Sequence, residues 1–256
     1  MKKFWFEFKT SFEFSRNIFG HCFSLRCLPK SDGRQLISDL HCDVKPAGNM
    51  WYSSDSFGNS VLCGRIPNAH NLFSFKIKGS AEIKSDYKIN DADKDVYKFP
   101  SPLTGPGQEL IEFYNKIKHE LKGSAIRQAF TISNRLFEVM QYLPGSTDVN
   151  TNAESAFRQK SGVCQDYTHI LLSLCRLNGI KCRYVSGLAN QSGETHAWAE
   201  VFSDGVWTGI DPANNRLCGE MYIAVCRGRD YSDCPIERGL YLGTAECRRE
   251  IYSKVT

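Results

Sequence analysis

The chain has 256 residues, with 32 basic and 28 acidic side chains and a net charge of +4. That length buries a substantial core and fits one large or two small domains, and 41% hydrophobic with 23% charged residues excludes a disordered or fibrous chain. The charge is spread along the chain, which leaves no electrostatic footprint for nucleic acid, and no apolar run approaches the roughly 18 residues of a membrane helix.

Residues 1 to about 100 read as strands. Phe23, Leu25 and Cys27 alternate with Ser24 and Arg26; Leu36, Leu40, Cys42 and Val44 share one parity; Phe73, Phe75 and Ile77 alternate with Ser74, Lys76 and Lys78. Turn clusters at Pro29–Gly33, Pro46–Asn49 and Asp55–Asn59 separate them. The spacing predicts a small antiparallel sandwich or barrel over 1–100, closed by a Pro- and Gly-rich linker at Pro100–Gly107. Residues 101–256 form the second unit. Leu110, Phe113, Tyr114, Ile117 and Leu121 mark one helix, and Ile126, Phe130, Leu136, Val139 and Met140 a second. A short helix over Ala153–Lys160 stops at Ser161-Gly162, and another opens at Cys164. Strands follow at about 181–188, 196–203 and 206–210, then a loop-rich stretch and a final strand region. The fold class is α+β.

Eleven cysteines stand out in this composition, yet they fall well short of the roughly 8–10% of a small disulfide scaffold. The count is odd, and no pair has the C-x-x-C spacing of zinc ribbons or redox sites. The start, Met1-Lys2-Lys3-Phe4-Trp5-Phe6-Glu7-Phe8-Lys9, has the basic opening of a signal peptide, but Glu7 and Lys9 interrupt its apolar centre. The expectation is a reducing, cytoplasmic setting with mostly free thiols. His21-Cys22 and His41-Cys42 could meet across strands as a metal site, but neighbours in a strand point to opposite faces. No metal and no other cofactor is expected.

Cys164 differs from the other ten by its place. A thiol at a helix N-terminus faces unpaired backbone N–H groups and the positive end of the helix dipole, which favour the thiolate. The same N–H groups suit an oxyanion, and Gly162 would let a substrate backbone come close. Asp166, in the first turn, complements the dipole but opposes a nearby thiolate. In Glu194-Thr195-His196-Ala197-Trp198-Ala199-Glu200-Val201, the residues His196, Trp198 and Glu200 share one strand face. Asp211 ends a strand just before Pro212, which brings a carboxylate beside the preceding strand or merely starts a turn. Taken together, Cys164, His196 and Asp211 supply the nucleophile, base and orienting carboxylate of thiol acyl transfer.

Gly162-x-Cys164-x-Asp166-Tyr167, then His196-Ala197-Trp198-x-Glu200-Val201, then Trp207-x-x-Ile210-Asp211-Pro212 resembles the signature of the transglutaminase-like superfamily, the papain-related enzymes and their bacterial relatives. The Asp55-x-Phe57-Gly58-Asn59 turn with its flanking strands resembles the β-rich N-terminal region of bacterial members. Gly228-Arg229-Asp230-Tyr231-Ser232-Asp233-Cys234-Pro235 resembles the loop that follows the triad in them. Ala213 stands where Thr is usual, and Cys234 where an apolar residue is common. The resemblance implies a papain-like core of helices packed on an antiparallel sheet, with Cys164, His196 and Asp211 as the catalytic residues. It implies a cysteine protease or amidohydrolase that cleaves a peptide, isopeptide or side-chain amide through a thioester. Transamidation of protein glutamine, or a non-catalytic peptide-binding module on the same fold, are the alternatives. Trp198 would wall the cleft or pack inside; Gly162, Arg229 and Asp230 are candidate substrate contacts, the last two otherwise an internal ion pair. The expected partner is a peptide or protein amide, with neither nucleic acid nor membrane.

Overall fold

A computed structural model of the chain describes residues 2–84, 94–189 and 193–256. The first sheet is built from β1 (Lys2–Leu25), β2 (Gln35–Lys45), β3 (Asn49–Ser54), β4 (Ser60–Ile66) and β5 (His70–Ile83), hydrogen-bonded in the order β2-β5-β1-β4-β3. Strand β1 organises this half. Phe6, Phe8, Phe14 and Phe23 all turn inward, against Phe73, Phe75 and Ile77 of β5. That even spacing of phenylalanines from residue 4 onward is an alternation signal lying in the very segment that opens with the basic start of a signal peptide. Near residues 14–20 the strand bends: its ladder with β5 breaks between Glu13 and Ile18, and Gly20 takes a positive φ of 56°, open to glycine at no steric cost.

The helices and second sheet follow as α1 (Gln108–Ile117), α2 (Ala125–Val139), β6 (Gln141–Tyr142), α3 (Ala153–Gln159), β7 (Ser161–Gly162) and α4 (Cys164–Leu177), then β8 (Cys182–Leu188), β9 (His196–Ser203), β10 (Val206–Asp211), β11 (Arg216–Leu217) and β12 (Ile223–Gly228). Sheet order is β11-β10-β9-β8-β12. Helix α4 is buried continuously from Asp166 to Arg176, as a helix enclosed on all sides must be. Ala197, Ala199 and Val201 of β9 lie in the same core as its Ile170, Leu171 and Leu174. The chain ends with β13 (Glu237–Leu242) and β14 (Cys247–Val255).

The α+β reading holds, but the division at residue 100 does not describe the sheets. Strand β14 pairs with residues 6–14 of β1, and β13 with residues 19–25, so the last two strands complete the first sheet. The strand-rich expectation for 1–100 also takes in 85–93, which lie outside the described residues. The shared parity of Leu36, Leu40, Cys42 and Val44 is broken in β2. Asp39 sits at φ 54° and the register shifts between Ser38 and His41, which leaves Leu36 and Leu40 exposed and Val44 inside.

β12 is an edge strand, and two side-chain amides cover its outer backbone. Gln35 donates to the Ala224 carbonyl (2.8 Å) and accepts from the Ala224 N–H (2.9 Å). Asn59 does the same at Arg227, with both bonds at 2.8 Å. The Asp55 carboxylate holds Asn59 in place, accepting from its side-chain amide and its backbone N–H at 3.0 Å each. The two sheets are thus joined through backbone groups that would otherwise be unpaired at a sheet edge. Replacing Gln35 with Leu should therefore lower stability by about 2–4 kcal/mol, because two buried groups lose their partner. The check is the urea midpoint at unchanged m-value; an unshifted midpoint would remove Gln35 from this role.

Candidate active site

Strand β6 runs parallel to β7, with Tyr142 beside Gly162, and the chain then passes through extended Val163 into α4 at Cys164. The Asp166 carboxylate turns back to accept the Val163 N–H (2.8 Å) and the Thr147 hydroxyl (2.6 Å), the carboxylate half of a capping box. Burial raises the pKa of Asp166 against the lowering effect of those two bonds. A Cβ at Gly162 would stand 2.6 Å from the Asp166 Cβ. Gly162 is therefore glycine to admit Asp166, which corrects its expected role in substrate approach. The Tyr142 hydroxyl faces the backbone N–H of Cys164.

His196 opens β9, and Asp211 ends β10. Nε2 of His196 lies 2.7 Å from Oδ2 of Asp211, which leaves Nδ1 for the Cys164 thiol. Asp211 is fully buried and also accepts from the Tyr222 hydroxyl (2.6 Å), the Asn214 side chain (2.8 Å) and the Asn214 N–H (3.1 Å). Burial would raise its pKa, but the bonds from His196, Tyr222 and Asn214 hold it below the usual carboxylate range. Burial would likewise push the imidazole down. The hydrogen bonds to Asp211 and to Cys164 outweigh burial, and the pKa of His196 rises to about 10.

Cys164 and His196 open into a cavity of about 190 Å³. Thr147, Gln165, Tyr184 and Ser186 line it from the catalytic half; Arg249 and Ile251 of β14 close the far wall. Tyr231 represents the loop after β12 there, whereas Arg229 and Asp230 do not line the cavity. Arg229 pairs with Asp233 at 2.8 Å rather than with its neighbour. Asp230, fully buried, accepts the Ser232 and Leu103 N–H groups. Trp198 is fully buried among Val185, Ala189, Tyr222 and Ala224, so it packs behind His196 and walls nothing. Glu200 is a buried ion-pair centre for Arg183 and Arg227. Tyr142, Asn214 and Tyr222 were not singled out from sequence. Only Asn214 had a local signal, three residues past Asp211 in an Asp-Pro turn.

All eleven cysteines are free. Burial raises the thiol pKa of Cys27, Cys175, Cys218 and Cys234 well above the ordinary value. The paired His-Cys dipeptides do not converge: His21 meets His70, and His41 is exposed across from Lys78. Among the described residues no helix is long and apolar enough to cross a membrane.

Two family models match the chain: the transglutaminase-like superfamily over residues 113–212, and the bacterial transglutaminase-like N-terminal region over residues 5–82. An uncharacterised protein of Mycobacterium leprae is 35% identical over 257 residues, covering 90% of both chains. An uncharacterised protein of Mycobacterium tuberculosis is 34% identical over 131 residues, covering 45% of this chain and 42% of its own. The crystal structure of a candidate cysteine protease from Cytophaga hutchinsonii superposes with a TM-score of 0.78 at 19% identity, covering 99% of this chain and 90% of that one. At that identity the likeness speaks for the fold.

The raised pKa of His196 fixes a direction for stability. Its proton contributes fully below the ordinary histidine value near 6.5, and the contribution is lost as pH climbs toward 10. Replacing Asp211 with Asn should drop the His196 titration by at least about one unit, read by NMR of the imidazole ring. A titration that stays near pH 10 in that variant would contradict the pairing.

Proposed function

The chain belongs to the transglutaminase-like superfamily, and on that premise we propose that it is a thiol-dependent acyl-transfer enzyme acting on a peptide, isopeptide or side-chain amide. The observation that supports this most directly is the order of contacts Cys164–His196–Asp211 at the mouth of one cavity. With Nε2 bound to Asp211, the imidazolium keeps its other proton on the side of the thiol. The Cys164 thiolate attacks the amide carbonyl carbon, and the C=O π pair moves onto oxygen. As the tetrahedral adduct collapses, the C–N bond breaks and His196 gives its proton to the departing nitrogen. A thioester remains. His196, now neutral, takes a proton from water as that water attacks, and the acid leaves with the thiolate restored. A primary amine in place of water would complete transamidation instead.

The oxyanion needs donors at its own position. The Cys164 N–H is one. Tyr142, half-exposed, holds its hydroxyl in front of that N–H, and we take it as the second. When a carbonyl oxygen takes up the N–H, the phenol O–H can donate to the same atom. A peptide-binding module would have no use for a buried carboxylate holding the proton on a histidine beside a thiol.

Replacing Cys164 with Ala should abolish turnover and site-specific alkylation by iodoacetamide; persisting turnover would overturn the assignment. Tyr142→Phe should lower kcat about 10²-fold with KM little changed, and an unaltered kcat would remove Tyr142 from the oxyanion site. A panel of glutamine and isopeptide substrates, offered with a labelled primary amine, separates the products. Ammonia without label means side-chain amide hydrolysis, peptide fragments mean proteolysis, and incorporated label means transamidation.

A further inference from the structure

A second cavity, of about 210 Å³, lies inside the first sheet, in the crook of β1. Its walls are aromatic: Phe12, Phe14, Phe23, Phe73 and Tyr241. Strands β13 and β14 each pair with β1 along different stretches and do not neighbour one another in the sheet, and the cavity reaches the surface there at exposed Arg238 and Cys247. A dry apolar cavity of roughly 150 Å³ already admits benzene, so this one has room for one substituted ring.

One polar side chain sits among those rings. His21 is 3% exposed and packs edge-on against Phe73 at 4.7 Å and Phe23 at 5.8 Å between ring centroids. Its Nδ1 lies 3.2 Å from Nε2 of His70, whose Nδ1 lies 2.9 Å from the Asn68 carbonyl. A carbonyl only accepts, so His70 carries a proton on Nδ1, and in its neutral form it offers a bare Nε2. His21 must then donate from Nδ1, which leaves its own Nε2 as a lone pair. Burial keeps His21 neutral, with a pKa lowered to about 4. That nitrogen points at Gly239, where a Cβ would stand 2.9 Å away. Gly239 lines the cavity, and among the described residues no hydrogen bond reaches Nε2. Nε2 is thus an acceptor open to a donor that enters the cavity.

We propose that this cavity is a binding site for a compact aromatic ring bearing one N–H or O–H donor, a phenol or an indole, with the donor on His21 Nε2 and the ring between the phenylalanines. The ring stacks and edge contacts give apolar affinity; the His21 acceptor among the rings gives selection. A hydroxyl-free ring leaves His21 unpaired, and sites built around a hydrogen bond discriminate strongly against ligands that lack it. The group could arrive as a free small molecule or as the side chain of Tyr or Trp in a polypeptide. The second source is open because the Glu237–Arg249 ion pair, at 2.8 Å, joins a residue lining this cavity to one lining the cavity at Cys164. Glu237 lines the first, while Ile236 and Arg249 line the second.

Calorimetry on the whole protein with p-cresol and toluene tests the binding claim with no turnover, so it stands apart from the catalytic reading. p-Cresol should bind at least about tenfold more tightly than toluene. His21→Leu should abolish that preference while retaining toluene, which also shows that the cavity has formed. In the unaltered protein, the ¹⁵N resonance of His21 Nε2 should move toward the hydrogen-bonded position on adding p-cresol, while Nδ1 stays. Equal affinities, no binding of either compound, or an unmoved Nε2 would overturn the proposal. The source is read next: if p-cresol competitively inhibits cleavage of a Tyr-containing peptide but not of its Ala counterpart, the site serves a substrate side chain. If p-cresol binds and both peptides are cleaved as before, the site serves a free phenol.

Discussion

A fully buried carboxylate at Asp211 is the constraint from which the catalytic half takes its shape. An ionised carboxylate removed from water must be surrounded by donors, and those donors have to come from several elements. The Asn214 N–H comes from the turn that ends β10, the Tyr222 hydroxyl from just before β12, and the His196 ring from the start of β9. The β9–β10 hairpin turns at Ser203–Val206, and its ladder runs from there to Ala199 opposite Ile210. Asp211 and His196 therefore emerge at the far end from the turn, where α4 begins. One residue of slip in that ladder would send the carboxylate to the other face. The geometry of the proposed proton transfer is thus set by sheet register, with the loops free to vary around it.

The second constraint is the edge of β12. The catalytic sheet presents unpaired backbone there, and the first half of the chain covers it with Gln35 and Asn59 instead of another strand. The far end of the chain meets the site from the other side, where β14 carries Arg249 and Ile251 into the cavity while hydrogen-bonded along β1. The cleft at Cys164 and His196 is consequently built by both halves. The first sheet is a wall of it, and the Glu237–Arg249 pair joins residues that line two cavities of quite different chemistry.

The meeting of Cys164, His196 and Asp211 was legible because each carries a local mark. Cys164 starts a helix after a glycine, His196 opens an alternating strand, and Asp211 precedes a proline. Helices α1, α2 and α4 were equally visible from apolar spacing. What escaped was set by long-range pairing. Nothing near Tyr142 or Tyr222 in the chain announces that one faces the Cys164 N–H and the other Asp211. The return of β13 and β14 to β1 is a topological fact with no local pattern, so a boundary near residue 100 looked complete. Trp198 and Glu200 share a face with His196 as the alternation requires, but period-2 reasoning gives the face and not its depth. Trp198 ended inside an aromatic cluster, and Glu200 between two arginines.

The cysteines show how little residue type alone decides. Cys22 and Cys247 are exposed, so access does not single out Cys164. Cys42 and Cys182 have pKa values lowered by neighbouring thiols, with Arg176 adding to the effect at Cys182, against the effect of burial. Cys182 is sealed in the core, and neither residue has an imidazole poised to protonate a leaving group. A thiol acts as a nucleophile in acyl transfer only when access, an anion-stabilising helix N-terminus and a proton donor coincide. Of the eleven, Cys164 is the one at which the helix start, the cavity and His196 meet. The proposed nucleophile is therefore set apart by the fold around it, and the same fold leaves His21, in the other half, as an acceptor open to a donor from solution.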